Sequence, residues 1–201
     1  RALELTEANG GTVTTITVGT AADDPTIRKA LAIGATDAVR VDAEAKDPYF
    51  VAKQIAAYAK ANSFDIVLTG KETINYNGAQ IGSMVAEMLD QPFVSLAQKL
   101  EVSGNTATLE RDVPGGAEVV EVNTPFVLSA AKGMAEQRIP NMRGIMAART
   151  KALNVIPAVE TAELTSIVSY NMPPAKSECK YIDADNMTEL VELLHNEAKV
   201  I

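Results

Sequence analysis
The stretch Val67-Leu68-Thr69-Gly70-Lys71-Glu72-Thr73-Ile74-Asn75-Tyr76-Asn77-Gly78-Ala79-Gln80-Ile81-Gly82 runs from a strand through a polar turn into a helix. Residues 64–69 are a short apolar run rich in β-branched side chains, and residues 79–89 have helical spacing, with Ile81, Val85, Met88 and Leu89 on one face. A turn in that position is where α/β proteins hold phosphates, because the N–H groups opening a helix have no partner within it. Gly70 and Gly78 are expected to permit positive φ or close backbone approach, and Asn75 and Asn77 to cap the helix or meet a ribose. A plain strand-to-helix loop with two turn glycines and an Asn cap has the same composition, so the residues alone leave both readings open.

Outward from this loop, strands and helices alternate up to about residue 96. Residues 12–18 predict a β-branched strand, 24–33 a helix entered through Asp23-Asp24-Pro25, and 38–41 a short strand after Gly34. Pro48 sits where a first helical turn accepts it, and Val51, Ile55, Tyr58 and Ala59 give that helix an apolar face. This alternation predicts an α/β fold: a mostly parallel sheet with helices on both faces, Rossmann-like, with ligands at the carboxyl ends of the strands. The loop at residues 19–24 then flanks the one at Gly70.

Beyond residue 97 the pattern changes to short strands at 100–102, 106–110, 117–122 and 126–129, separated by Gly- and Pro-containing turns, which suggests antiparallel additions. A short helix at 143–149 and a strand-like run at 152–156 follow. The tail holds apolar residues at 164–170, a Pro173-Pro174 breaker, a candidate strand at 179–182 and a final helix at 185–199 capped by Asp185 or Asn186. Residues 1–156 are thus expected to form the nucleotide-binding α/β domain and 157–201 a C-terminal arm and helix. At the other end, residues 1–8 read as the last turns of an amphipathic helix closed by Gly10 and Gly11, with the expectation that the natural polypeptide carries a segment and a central strand ahead of it.

Composition narrows the function classes. A net charge of −8 with 4% aromatic residues lacks the clustered Lys, Arg and stacking rings that nucleic-acid binding needs. One cysteine, Cys179, and one histidine, His195, provide neither an internal disulfide nor a Cys/His metal set, and a reducing, cytoplasm-like compartment is the simplest expectation. No apolar run is long enough to span a bilayer. Nor is there a G-x-S-x-G elbow, a Walker lysine or a G-x-G-x-x-G fingerprint; His195 reads as a surface or packing residue, and Cys179 as an incidental thiol. What remains is binding chemistry.

The chain resembles the beta subunit of electron-transfer flavoprotein. That family carries a loop of the form Gly-Lys-Gln-x-Ile-Asp-x-Asp-x-x-Gln-x-Gly around the phosphate of an adenine nucleotide, and residues 70–82 match it without gaps, with Glu72, Asn75 and Asn77 at its Gln and two Asp positions. Residues 109–129 resemble the family signature, Ser129 and Pro114 departing from it, and residues 136–149 resemble the recognition loop and its following helix, where an exposed apolar residue anchors partner dehydrogenases. Residues 26–35 match the family's early helix.

The resemblance implies an electron carrier rather than an enzyme. It implies a heterodimer with an alpha subunit that holds most of the FAD near the interface, and electron flow from acyl-CoA or similar dehydrogenases to a quinone oxidoreductase. In this chain an adenine nucleotide is expected at Val18, Gly70, Lys71, Glu72, Thr73, Ile74, Asn75, Tyr76, Asn77, Gly78, Ala79, Gln80 and Ile81. AMP is the expected occupant and a second FAD, as in electron-bifurcating relatives, the alternative; the bifurcating form Asp-Gly-Asp-Thr-Ala-Gln-Val-Gly-Pro keeps an acidic pair, a Thr and a Pro that this loop lacks. Met142 falls at the anchor position, with Ile139 and Arg143 beside it, while Arg149 and Lys151 remain of the family's following basic residues. The resemblance also implies a bacterial cytoplasm or mitochondrial matrix. ATP-binding stress proteins and ligases share the general fold, but the long stretch past residue 95 disfavours them.

Overall fold
Pro25 and Gly34 bracket a helix whose apolar residues fall on one side, and the chain responds as that pattern demands. In the computed structural model, which describes all residues but Asn75 and Ser177, α2 spans Asp24–Ile33 and buries Ile27 and Leu31. It follows β1 (Thr14–Gly19) and leads to β2 (Asp37–Asp42). The preceding helix, α1 (Ala2–Asn9), ends at Gly10 with φ 79°. Next, α3 (Pro48–Asn62) starts on Asp47, whose side chain accepts from the Phe50 N–H, and stops at Ser63 in the left-handed region. Then come β3 (Ile66–Gly70) and α4 (Ile81–Leu89), the two elements that frame the central loop.

The remaining strands are β4 (Phe93–Ser103), β5 (Thr106–Val113), β6 (Gly116–Asn123), β7 (Phe126–Ala130) and β8 (Leu153–Pro157), with α5 (Met142–Ala148) between the last two. Two sheets form, in the orders β1-β2-β8 and β3-β7-β4-β5-β6. Pairings β1-β2, β2-β8, β3-β7 and β4-β7 are parallel, and only β4-β5 and β5-β6 are antiparallel. The fold is α/β with mostly parallel strands, as the alternation required.

Three expectations are corrected. Strand β7 is no antiparallel addition: it inserts between β3 and β4, parallel to both, because Val127 on one face and Phe126 and Leu128 on the other are all fully buried, as only an interior strand allows. Strand β4 starts at Phe93, well before residue 100. No strand forms at 179–182, where the tail lacks a neighbour to pair with among the described residues.

Packing divides by face. Ala38 of β2 meets Ile27, Leu31 and Ala35, with Ala148 of α5 in the same cluster. Helices α3 and α4 cover Val127 through Ala52, Ala56, Val85 and Ala86. Phe126 and Leu128 face the largest cluster, with Leu100, Leu109 and Met134.

Between the two sheets the edges of β1 and β3 are unpaired. A cleft of about 800 Å³ separates them, lined by Thr14, Thr15 and Ile16 on one edge and Ile66, Val67 and Leu68 on the other. Leu5 of α1 and Ile55 and Tyr58 of α3 line it too, and the buried Thr15 hydroxyl has no hydrogen-bond partner.

Residues Arg1–Ser166 make one compact unit and Ile167–Ile201 a second. After β8 the first unit's chain is sewn onto α3. Gln54 donates to the Val159 carbonyl and accepts the Val159 N–H at 2.7 Å, while Asp47 accepts the Leu164 and Thr165 N–H groups at 2.6 and 3.0 Å. In the second unit, α6 (Met187–Glu192) is capped by Asn186 and runs into a π-helical turn at Leu193–Glu197, so the expected single helix widens halfway.

Candidate functional site
The loop between β3 and α4 closes on itself and projects from the sheet. Thr73 N–H donates to the Gly78 carbonyl at 2.9 Å, Gly78 N–H to the Thr73 hydroxyl at 3.0 Å, and Asn77 N–H to the Thr73 carbonyl at 2.9 Å. The positive φ of the turn is taken by Asn77 (52°), and neither Gly70 nor Gly78, expected to permit positive φ or close approach, adopts it; Asn tolerates the left-handed region through its short polar side chain. Gly78 has another reason to be glycine: a Cβ there would lie 2.6 Å from the Tyr76 ring. A Cβ on Gly70 would meet nothing within 4 Å, so that strand end opens onto free space. Asn75 lies outside the described residues.

Helix α4 begins without a side-chain cap: Gln80 is the N-cap residue and makes no capping bond. Among the described residues no side chain, Asn77 included, takes up the first N–H groups of α4. Gly82 allows that helix start to press against the end of β3, since a Cβ would lie 2.7 Å from the Thr69 hydroxyl. Lys71 is half exposed and 3.3 Å from Glu72. Ile74 and Tyr76 stand out into solvent, while Ile81 anchors the loop in the α3–α4 cluster. N–H groups left free at the start of a helix are groups to which an anion can bind.

At the carboxyl end of β1, in the other sheet, half-buried Val18 precedes a second loop. Thr20 and Asp23 form a capping box, with Thr20 N–H donating to Asp23 at 2.9 Å. A Cβ on Gly19 would collide with an Asp23 carboxylate oxygen, so any side chain there would push Asp23 out of the capping box.

A third feature is α5 and the loop before it. Asn141 caps α5 by accepting the Gly144 N–H at 2.8 Å. Gly144 lies so close to the Ala32 carbonyl oxygen that a Cβ would overlap it. Arg28 donates to the Ala148 and Lys151 carbonyls, both at 2.7 Å, and Lys151 Nζ to the Leu31 and Ala35 carbonyls at 3.1 and 2.5 Å. Arg138 makes a two-pronged pair with Glu7 at 2.6 and 2.7 Å and holds that carboxyl below its usual range, tying the loop to α1. Held this way, Ile139 (82% exposed), Met142 (74%), Ile145 (40%) and Met146 (56%) face water together.

The profile of the electron transfer flavoprotein domain matches residues 1–161. The electron transfer flavoprotein subunit beta of Bacillus subtilis is 35% identical over 215 aligned positions, spanning 100% of this chain and 83% of that protein. The chain belongs to the electron transfer flavoprotein beta-subunit family. Its counterpart in Thermoanaerobacterium thermosaccharolyticum is 35% identical over 75% of this chain and 59% of the relative, and that of Sus scrofa 32% identical over 82% and 68%.

Electron transfer flavoproteins are named for moving electrons. Among the described residues no group of His, Cys, Asp and Glu could hold a metal ion, and no helix is long and apolar enough to cross a membrane. The residues expected at the nucleotide loop, from Gly70 to Ile81, are contiguous and, among the described ones, largely exposed, whereas Val18 is the next-to-last residue of β1 in the other sheet. Met142, Ile139 and Arg143 are all exposed, but Met134 of the same loop is buried in the core, and Lys151 is committed to the end of α2. Sequence reasoning missed Ile145 and Met146; their i+3 and i+4 spacing from Met142 was the available signal.

Proposed function
We propose that this chain is the beta subunit of a heterodimeric electron-transfer flavoprotein, binding AMP through residues 70–81 and docking redox partners through α5 and the loop before it. The observation that carries the nucleotide reading is the uncapped start of α4 beside a self-closed, solvent-facing loop. The residues fit a nucleotide monophosphate: the first N–H groups of α4 and Lys71 would meet the phosphate, and the open edge at Gly70 leaves room for it. The acidic side chain within residues 70–81, Glu72, is paired with Lys71 at 3.3 Å, and residues 73–81 carry no negative charge. AMP here is a structural ligand, and FAD, held mainly by an alpha subunit, supplies the redox chemistry when bound.

For partner docking, Ile139, Met142, Ile145 and Met146 form an apolar surface rich in thioethers, which adapt to differently shaped pockets. Acyl-CoA or similar dehydrogenases donate electrons at this surface, and a quinone oxidoreductase receives them from the heterodimer. Arg143 and Arg149 remain for electrostatic steering. Residues 157–201 form an arm that contacts the alpha subunit; Ile167, Val168, Tyr170, Met172 and Tyr181 are exposed apolar residues suited to it. The compartment is a bacterial cytoplasm or the mitochondrial matrix.

Coexpression with the alpha subunit and extraction of bound nucleotides tests the reading. One FAD and one AMP per heterodimer are expected. Two FAD would replace AMP with a second flavin, and one FAD without a further adenine nucleotide would remove the clamp.

A further inference from the structure
Arg40 is buried, 5% exposed, at the point where the apolar layer beneath α2 ends. It shares a face of β2 with Ala38, which lies under Ile27 and Leu31, and its side chain reaches the start of α2. Nε donates to Asp24 at 2.7 Å, and Nη1 to Asp42 at 2.5 Å and to the Gly19 carbonyl at 3.1 Å.

Stability gives little reason for an arginine there. A cation beside a helix N-terminus opposes the helix dipole, and a buried ion pair is often matched or bettered by apolar packing. The two carboxylates do not need it, since the side chains of Asp24 and Asp42 are 36% and 60% exposed and can be hydrated. What the guanidinium uniquely does is fix one peptide plane. The Gly19 carbonyl is held by Arg40 and the Thr20 N–H of the same peptide by Asp23, so this plane cannot turn without breaking both bonds. That peptide directly follows Val18 at the end of β1, the strand that lines the cleft opposite β3, and β3 leads into the Gly70 loop.

We propose that Arg40 is a positioning residue for nucleotide binding: it locks the Gly19-Thr20 peptide so that the end of β1 meets the adenine nucleotide held by residues 70–81. The proposal rests on the reading of that loop as a nucleotide clamp. Arg40 itself touches no ligand; it acts through Gly19, and a lysine, lacking the planar fork, cannot hold Asp24, Asp42 and Gly19 at once.

The test uses the heterodimer stripped of nucleotide, with AMP as the probe, and compares wild type with R40M, R40K, D24N and the control R28M. Arg28 holds α5 to α2 by two carbonyl bonds and takes no part in the Gly19 loop. Calorimetric titration is expected to show AMP dissociation constants raised about tenfold in R40M, the loss of one charge-assisted hydrogen bond, and by a smaller factor in R40K. The thermal midpoint of the AMP-free R40M protein should stay near wild type, while R28M should unfold earlier and bind AMP normally. R40M and wild type binding AMP within about twofold would overturn the positioning role. Should R40M fail to assemble, D24N decides: it takes the charge from one fork partner and weakens its hold on Nε, which should weaken AMP binding measurably, and an unchanged constant overturns the proposal. Wild type that binds no AMP removes the clamp and this role together, whereas tight wild-type binding with an unaffected variant removes this role alone.

Discussion

Asp47 holds two parts of the first unit with one carboxylate, and replacing it by alanine releases both. One oxygen caps α3 through the Phe50 N–H at 2.6 Å; the other receives Leu164 and Thr165, from the segment that leads out of the unit. An N-cap of this kind is worth ~1 kcal/mol. Each further bond to a charged acceptor is worth ~1.5–3 kcal/mol when dry, but Leu164 is 62% exposed, so water replaces much of what is lost there. The expected total is about 2–3 kcal/mol, most of it local to residues 158–166.

The assay is amide hydrogen exchange on the assembled heterodimer, normalised to intrinsic rates. A local loss of ~2 kcal/mol should speed exchange at Leu164 and Thr165 by about 30-fold in D47A. Amides of β7 should hardly change. An acceleration below about threefold at both positions would refute the reasoning, because the carboxylate would then not be what holds this segment down. Titration offers a second check. The Phe50 N–H, then those of Thr165 and Leu164, hold the Asp47 carboxyl below its ordinary value of 3.8. A lowered folded value means that the carboxylate's contribution is whole above 3.8 and disappears as pH falls through the lower folded value. Wild-type protection of Leu164 should therefore fall in that acid range, and the D47A profile should be flat there.

Other outcomes are equally specific. G144A drives a methyl into the Ala32 carbonyl and should lower stability by about 1–3 kcal/mol, seen as an earlier thermal midpoint, while displacing the Met142 surface. M142A should leave that midpoint unchanged but raise the apparent KM for the heterodimer in dehydrogenase-coupled dye reduction by about tenfold, as truncation of a docking anchor does. G78A meets the Tyr76 ring and should reduce AMP retained after gel filtration, with FAD content unaffected. S129A removes the buried acceptor of the Leu96 N–H, at 2.8 Å, and should cost about 1–3 kcal/mol in urea unfolding.

Legibility followed the range of the interactions. Helix α2 was readable to the residue because Asp24, Pro25 and Gly34 are local instructions, as are Asp47 and Pro48 for α3. The place of β7 was not, since its insertion between β3 and β4 depends on which partners bury it on both faces, and nothing in residues 126–130 names them. At the site, the loop's position and exposure were legible from the strand-to-helix switch. Its internal geometry was not: Asn77, not a glycine, takes the left-handed turn, and Tyr76 lies against Gly78. The bonds of Arg40 were hidden for the same reason, reaching Gly19 and Asp24 from 21 and 16 residues away. Lys151 looked like a steering charge, yet its ammonium is spent on two carbonyls of the α2 end.

Helix α3 packs against β1 of one sheet and against α4, which covers the other. The Gly19 loop ends a strand of the first sheet and the Gly70 loop a strand of the second. A nucleotide touching both loops would bind only while both sheets are folded, so AMP should slow amide exchange in β2 and in β7 alike.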